Sequence, residues 1–390
     1  MARTATAPRV DLQAIAARSR LGQGWEAPVL LLLTVALLSF GFVSVYSASA
    51  VLAQSSGLPD YHFVLRQLIG GVMGVVGLIA MSLLDYRHLR LLAWPVLAAT
   101  IVMLLIVIMP GTEAIAPRIN GARRWLNIGP LQIQPSEFAK FALIVWTAAL
   151  AVKKQDRLNS LSRGLLPFLV MWGITVGLII IEPSLSASAI ALLLAALVVF
   201  AAGARIGHFI LLGVVGLPVL WGQIDSFAHW LSRISAFLDR TQDPAGVSYQ
   251  INQAMIALGS GGAFGRGFGH GQQKFGFLPE PHNDFILAMI GEEWGFIGVL
   301  GLVVAFTAFA LIGYRIARQA PDLFGTLLAI GLTNLIVVQG LLHMLVNLAL
   351  IPTTGVTLPF VSYGRSSLLV CLAAVGVLIN IARTAQAATE

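Results

Sequence analysis

Stretches of about twenty apolar residues recur along almost the whole of this 390-residue chain. A helix rises about 1.5 Å per residue, so twenty residues cross the roughly 30 Å of hydrocarbon in a bilayer. In that solvent each backbone N–H and C=O has to be paired within the protein, and an isolated apolar run achieves this as a helix. With 57% apolar and 11% charged residues, the chain has too little polar surface to cover a water-soluble globule of its size. The reading is an all-α, polytopic membrane protein with no separate soluble domain and no nucleic-acid partner. Cys371 lies in an apolar run without a partner, which leaves neither a disulfide nor a cysteine metal site and makes it a packing residue. The polar start carries Arg3, Arg9, Arg18 and Arg20, and the apolar stretch after it lacks a small-residue cleavage pattern, so the first span is retained.

Ten spans are expected, at about 28–50, 64–84, 91–109, 136–152, 165–182, 184–203, 206–222, 284–313, 323–350 and 362–382. They form one membrane domain, 28–383, between tails 1–27 and 384–390. Only Glu182-Pro183-Ser184 separates the fifth span from the sixth. Proline disfavours helix in the residue before it, which makes this a tight reversal, with one long kinked helix as the alternative. With the amino terminus in the cytoplasm, one side receives fourteen of the twenty-four Lys and Arg, nearly all in the tail and short connections. That satisfies the positive-inside rule with both termini cytoplasmic. The other ten are Arg66, Arg118, Arg123, Arg124, Lys140, Arg233, Arg240, Arg266, Lys274 and Arg365, on or opening toward the outer side. The insertion rule does not account for them. As a group they suggest an outward-facing anion site, phosphate above all, because Arg pairs with it bidentately.

Two outer connections are long. In 110–135, Trp125, Leu126, Ile128, Leu131 and Ile133 alternate with polar positions, as in a segment lying at the membrane interface. In 223–283, between the seventh and eighth spans, an amphipathic start around Trp230 leads into GSGGAFGRGFGHGQQ. Seven of the thirteen residues from Gly259 to Gly271 are glycine, which lets the backbone approach a ligand closely, although a flexible linker has the same composition. No dinucleotide or Walker pattern fits it.

The stretch FLPEPHNDFILAMIGEEWGFIG, 277–298, places five ionisable residues at the mouth of the eighth span. Asp284 stands at the helix start, where a carboxylate also serves as a simple cap. Glu280, His282, Arg266 and Lys274 lie close by in sequence, a grouping suited to proton abstraction or to a divalent metal beside a phosphate. Glu292 and Glu293 fall about 12 Å further along the helix, in hydrocarbon. Such carboxylates face the bundle interior and are paired or protonated, with Lys140 and Arg365 as candidate partners and a structural or cavity-lining role.

The 277–298 stretch closely resembles the signature of the SEDS family of cell-wall proteins. The resemblance extends through VYSAS at 45–49, NGARRWLNIGPLQIQPSEFAK at 120–140, YQINQAMIALGSGGAFGRGFG at 249–269 and IPTTGVTLPFVSYGRSSLL at 351–369. The PTTGVTLPFVSYG part is closer to FtsW-type division members than to elongation members, where Pro-Leu-Pro-Leu is usual. The resemblance implies a ten-helix glycosyltransferase that polymerises lipid II into peptidoglycan strands at the outer face of the cytoplasmic membrane, at the division site. Asp284 matches the essential family aspartate and would deprotonate the acceptor hydroxyl or hold a divalent cation, Mg2+ or Mn2+. Arg123, Arg124, Lys140 and Arg266 would hold the pyrophosphates, with Lys274, Glu280, His282 and Ser362 also contacting substrate, while Arg365, which is not the family's usual residue, would add a phosphate contact or pair with a cavity carboxylate. Glu182, Glu292 and Glu293 would line the cavity. Implied partners are the nascent glycan strand, a class B penicillin-binding protein with one transmembrane helix, and other divisome membrane proteins.

The chain departs from the family pattern twice: Glu182-Pro183-Ser184 stands where Gln/Glu-Pro-Asp is usual, and Ser362-Tyr363-Gly364-Arg365-Ser366 replaces Ser-Tyr-Gly-Gly-Ser. Two other functions compete. A lipid II flippase would use a polar path, for which Glu292, Glu293, Asn334, Gln339, His343 and Asn347 are available. A non-catalytic scaffold explains the apolar helices but not the outer carboxylate and cations.

Overall fold

The computed structural model describes residues 24–119, 121–129, 131–158, 160–205, 207, 235, 237 and 247–387. Its α-helices are α1 (Glu26–Ser55), α2 (His62–Leu83), α3 (Arg87–Ile108), α4 (Pro135–Lys153), α5 (Leu166–Ile181), α6 (Leu185–Ala201), α7 (Val247–Gly261), α8 (Ile286–Gln319), α9 (Leu323–Asn347) and α10 (Arg365–Ala387). The described departure from an all-helical chain is a short antiparallel hairpin, β1 (Leu126–Ile128) with β2 (Leu131–Ile133), where the sequence suggested an interfacial segment.

Local chemistry sets several helix ends. Pro135 opens α4 with Glu137 in its first turn, suiting a fixed φ and the positive end of the dipole. Asp322 caps α9 by accepting from Gly325 N at 2.7 Å. Helices α5 and α6, of 16 and 17 residues, pack against each other across 182–184, so this point is a tight reversal and not a kink. Seven other described helices are long and apolar enough to span a membrane.

Helices α4, α9 and α10 are buried over most of their length, whereas α2 and α3 bury few residues and α8 is buried chiefly at its start, Ile286–Glu293. Leu83 and Leu91, 73% and 78% exposed, face outward as lipid-facing residues do. Without a hydrophobic drive between helices in lipid, close packing relies on small residues. A Cβ on Gly376 of α10 would lie 2.3 Å from the Leu78 carbonyl oxygen, and one on Gly74 of α2 would lie 2.5 Å from a Leu372 methyl.

The two ends of the described chain share one face of the bundle. Gly24 lies beside Gln386, and Arg315 near the end of α8 bonds Glu26 at the start of α1 (2.6 Å). At the opposite, loop face, Arg124 ahead of the hairpin donates to the carbonyls of Glu182 and Pro183. Helix α6 therefore runs away from the loop face, while α8 starts at it. Of the expected seventh span, 206–222, all but Gly207 lie outside the described residues. Arg233, Arg240 and Trp230 lie outside them too.

Candidate active site at the loop face

Helix α8 is broken at Gly295, where φ is 67° and ψ is −163°, a region that essentially only glycine occupies. The glycine-rich segment fills the break. Arg266 N donates to the Glu292 carbonyl and Gly267 N to that of Glu293, both at 3.0 Å; Phe296 N and Ile297 N donate to the carbonyls of Gly262 (2.9 Å) and Ala263 (3.2 Å). Backbone groups freed by the break are thus paired again. The approach leaves no room for a side chain. A Cβ on Gly261 would lie 1.9 Å from the Gly291 carbonyl oxygen, and one on Gly265 2.1 Å from that of Glu293. The glycine run is a docked strap and not a linker.

The deep glutamates secure this strap. Glu292 accepts from the amides of Gln272 (2.8 Å) and Gln273 (3.1 Å), with Arg266 Nη1 3.7 Å away. Glu293 accepts from Ser47 Oγ of α1 (2.6 Å) and Lys274 Nζ (3.0 Å). Their cationic partners are therefore Arg266 and Lys274, not Lys140 and Arg365 as expected: the strap folds down into the break and carries its own cations to the glutamates. Lys274 and Glu293 are both buried, which commits the lysine to the pair and away from an outward anion. Lys274→Met leaves a buried carboxylate uncompensated and is expected to cost about 3–5 kcal/mol. Thermal melting in detergent checks this, with the double change Lys274→Met/Glu293→Gln costing less than the single one.

Asp284 is half-buried immediately ahead of α8, whose cap position falls to Phe285. Its backbone carbonyl accepts from Asn347 Nδ2 at the end of α9 (3.1 Å). A Cβ on Gly355 would stand 3.7 Å from Asp284 Oδ2, so the 351–364 loop lies beside the carboxylate. That loop is joined to the Asp284 segment: Ser362 Oγ donates to the Asn283 carbonyl (2.9 Å), and Tyr363 N to that of His282 (3.0 Å). Ser362 Oγ also accepts from Leu358 N (2.9 Å), so its hydroxyl holds two loops together. Gln67 of α2, which sequence reasoning missed, donates to the Ser362 carbonyl (3.0 Å) and accepts from Gly364 N (3.1 Å). A lone buried amide in an apolar span was its signal.

His282 packs its ring against Phe63 and Tyr363, with centroids at 4.6 and 5.2 Å. Burial pushes its pKa down from the ordinary 6.5 to about 4. The ring is therefore neutral near pH 7, and its 4.0 Å approach to Glu280 is not an ion pair. Because the folded pKa is depressed, the unfolded chain takes up this proton first. The ring's contribution is full above about pH 6.5 and is lost as pH falls through 4. His282→Phe is expected to flatten the fall in melting temperature over that interval relative to wild type.

The remaining predicted residues divide by place. Arg123 donates to the carbonyls of Ala116 (3.0 Å) and Met109 (3.1 Å) and pairs with Glu113 (3.3 Å), knitting the segment before the hairpin. Arg124 holds the α5–α6 reversal, where Glu182 is buried with neither carboxylate oxygen hydrogen-bonded. Lys140 is buried in α4, 2.7 Å from Glu137, and is not outward-facing. Arg365 opens α10 and donates to the neutral Gln132 of β2 (3.2 Å). Asp284, His282, Ser362 and Arg365 are thus gathered around one loop. Arg123, Arg124 and Glu182 cluster at the hairpin and the reversal, and Arg266, Lys274, Glu292 and Glu293 at the strap. Among the described residues no group of three or more His, Cys, Asp or Glu is arranged to hold a metal ion.

The comparisons with known proteins agree with this architecture. A family model described as cell cycle protein, for FtsW, RodA and SpoVE, matches residues 28–387. The chain is 43% identical to a probable peptidoglycan glycosyltransferase FtsW of Trichlorobacter lovleyi, over 90% of this chain and 92% of that protein. It is 39% identical to stage V sporulation protein E of Bacillus subtilis, over 91% and 96%. Among solved structures it is similar to a chain of a peptidoglycan synthase complex, with TM-score 0.74 and 28% identity over 94% of this chain and 99% of that one. The rod shape determining protein RodA of Thermus thermophilus gives TM-score 0.66 and 27% identity over 93% and 97%. A broken eighth helix, its glycine strap and an aspartate at the loop face therefore belong to a chain that is a member of the FtsW/RodA/SpoVE family of cell cycle proteins.

Proposed function

We propose that this chain is a peptidoglycan glycosyltransferase that polymerises lipid II at the outer face of the cytoplasmic membrane during septal wall synthesis, with Asp284 as the base. The carrying observation is a half-buried carboxylate at the rim of an apolar bundle, with Gly355 of the 351–364 loop beside it. The names of the relatives support the activity. In the reaction, the 4-hydroxyl of a lipid-linked disaccharide gives its proton to the Asp284 carboxylate as its oxygen attacks the anomeric carbon of the growing strand's terminal muramyl sugar. The bond from that carbon to the phosphate oxygen breaks, and its electron pair leaves with undecaprenyl pyrophosphate.

Arg365 is assigned to that pyrophosphate, since it follows the loop beside Asp284 and donates to a neutral side chain, whereas Lys140, Lys274, Arg123 and Arg266 face carboxylates and Arg124 is held at the α5–α6 reversal. Arg365→Gly is expected to raise KM for lipid II by roughly ten- to a hundred-fold, the loss of one charged hydrogen bond. Unchanged affinity and unchanged polymerisation would show the assignment to be wrong. The donors at Asp284 suit a divalent cation only in the Mg2+ manner, in which one carboxylate, waters and substrate phosphates complete the shell. A bound cation would there neutralise charge on the pyrophosphate.

The chain lies in the cytoplasmic membrane with both termini inside, in keeping with the adjacent chain ends and the fourteen cations allotted to that side. Likeness to a chain of a synthase complex studied for coordinated polymerization and crosslinking supports a class B penicillin-binding protein as partner. A flippase needs an open polar path. Asn334 and Asn347, two of its candidate liners, are instead bonded to backbone and to Tyr314. The test is labelled lipid II given to the purified protein and its transpeptidase partner in detergent. A glycan ladder on a gel supports the polymerase. No polymer, together with lipid translocation in liposomes, supports the transporter.

A further inference from the structure

The buried polar stripe on α9 ends at Asp284. Asn347 is 1% exposed, and its side chain makes three bonds: Nδ2 donates to the carbonyls of Asp284 (3.1 Å) and His343 (3.0 Å), and Oδ1 accepts from Ala288 N (3.1 Å). One amide therefore grips both the carbonyl that precedes α8 and an N–H of its first turn, which Ala288 shares with the Phe285 carbonyl (3.1 Å). His343 lies one turn earlier on the same face. Its Nδ1 is 2.7 Å from the Val356 carbonyl, and because a carbonyl only accepts, Nδ1 carries the proton. Val356 follows Gly355, the residue beside Asp284 Oδ2.

Two neighbouring α9 side chains thus fix the two walls of the site, Asn347 the Asp284 backbone and His343 the Gly355–Val356 peptide. The stripe continues to Gln339, buried with neither amide atom bonded, and His343 Nε2 is also without a partner. Apolar packing would leave no such groups in the interior, where each costs about 1–3 kcal/mol.

We propose that Asn347 and His343 are positioning residues that set the Asp284 carboxylate against the 351–364 loop, a role that rests on reading Asp284 as the base. A displacement of about 1 Å at a reacting group costs on the order of a hundred-fold in rate. Asn347→Ala and His343→Leu are therefore expected to lower kcat by about ten- to a hundred-fold, with KM for lipid II changed less than about three-fold. His343→Asn puts an amide N–H where Nδ1 stood and is expected to recover most of kcat. That pair decides the matter even if Asn347→Ala fails to fold.

Equal kcat for His343→Leu and wild type, equal kcat for His343→Leu and His343→Asn, or a fall that appears in KM alone overturns the proposal. Asp284→Asn in the same assay separates the two readings. If it is inactive while the α9 variants are fully active, the positioning role alone fails; if it is active, the base reading beneath it fails.

Discussion

Asp284→Asn is expected to lower the rate of glycan polymerisation by about a hundred- to ten-thousand-fold, the range lost with a general base. The amide keeps the size and shape of the carboxylate but takes up no proton at neutral pH. The bond from Asn347 at the end of α9 runs to the backbone carbonyl of this residue, which the substitution keeps. KM for lipid II should change little, because the proton transfer belongs to the transition state and not to ground-state binding. Asp284→Glu sharpens the test. It retains the charge but moves it by one methylene beside Gly355, so activity should be intermediate. Initial rates on labelled lipid II at several concentrations give kcat and KM separately. A fall confined to KM would make Asp284 a binding residue instead.

The second large effect falls on stability. Gly295→Ala meets two penalties at once. Its backbone sits at φ 67° and ψ −163°, which costs a side chain about 1–3 kcal/mol. The new Cβ would also lie 2.3 Å from Gly265 N and 2.7 Å from the Ala263 carbonyl, both backbone atoms that cannot swing aside. Forcing them apart adds about 1–3 kcal/mol, a total of roughly 2–6 kcal/mol. The strap would leave the break, taking from Glu292 its two amide donors and from Glu293 its lysine. Gly259→Ala is the control from the same glycine run. Gly259 is inside α7, and a Cβ there meets nothing within 4 Å. That change should be neutral or stabilise by about 0.5–1 kcal/mol. Opposite outcomes in yield and melting temperature would separate a docked strap from a flexible linker, in which both changes are mild.

The same contrast explains what the sequence could reveal. Membrane spans are legible because a bilayer makes each helix satisfy its own backbone, so length and apolarity suffice locally. Nine of the ten described α-helices accordingly fall where the apolar runs lie, and a proline marks the 182–184 reversal; α7 instead falls in the expected outer connection 223–283. The position of Asp284, just ahead of a membrane-spanning helix, is legible from the apolar run that follows it. The partners of Glu292 and Glu293 were not, because they depend on the strap folding back from twenty residues upstream, and glycine content is the same for a strap and a linker. Lys140 was misplaced for a simpler reason. Its outer-half position suggested a substrate contact, while Glu137, three residues before it on the same helix, was the nearer partner. Arg123 and Arg124 bond to carbonyls, which no count of charges can foresee. Gln339, His343 and Asn347 read in the sequence as polar residues available to a transport path. Their spacing of four already placed them on one face, but only the fold shows that this face ends at Asp284.

The central claim is that Asp284 drives a transfer that joins sugars and releases undecaprenyl pyrophosphate. The most direct test counts glycosidic bonds formed and undecaprenyl pyrophosphate released by the purified protein with its partner in detergent, for wild type and Asp284→Asn side by side. One pyrophosphate released per bond in the wild type, with both products formed at least about a hundred-fold more slowly by Asp284→Asn, is the predicted result. Bonds formed by Asp284→Asn at the wild-type rate, or none formed by either protein, would contradict it.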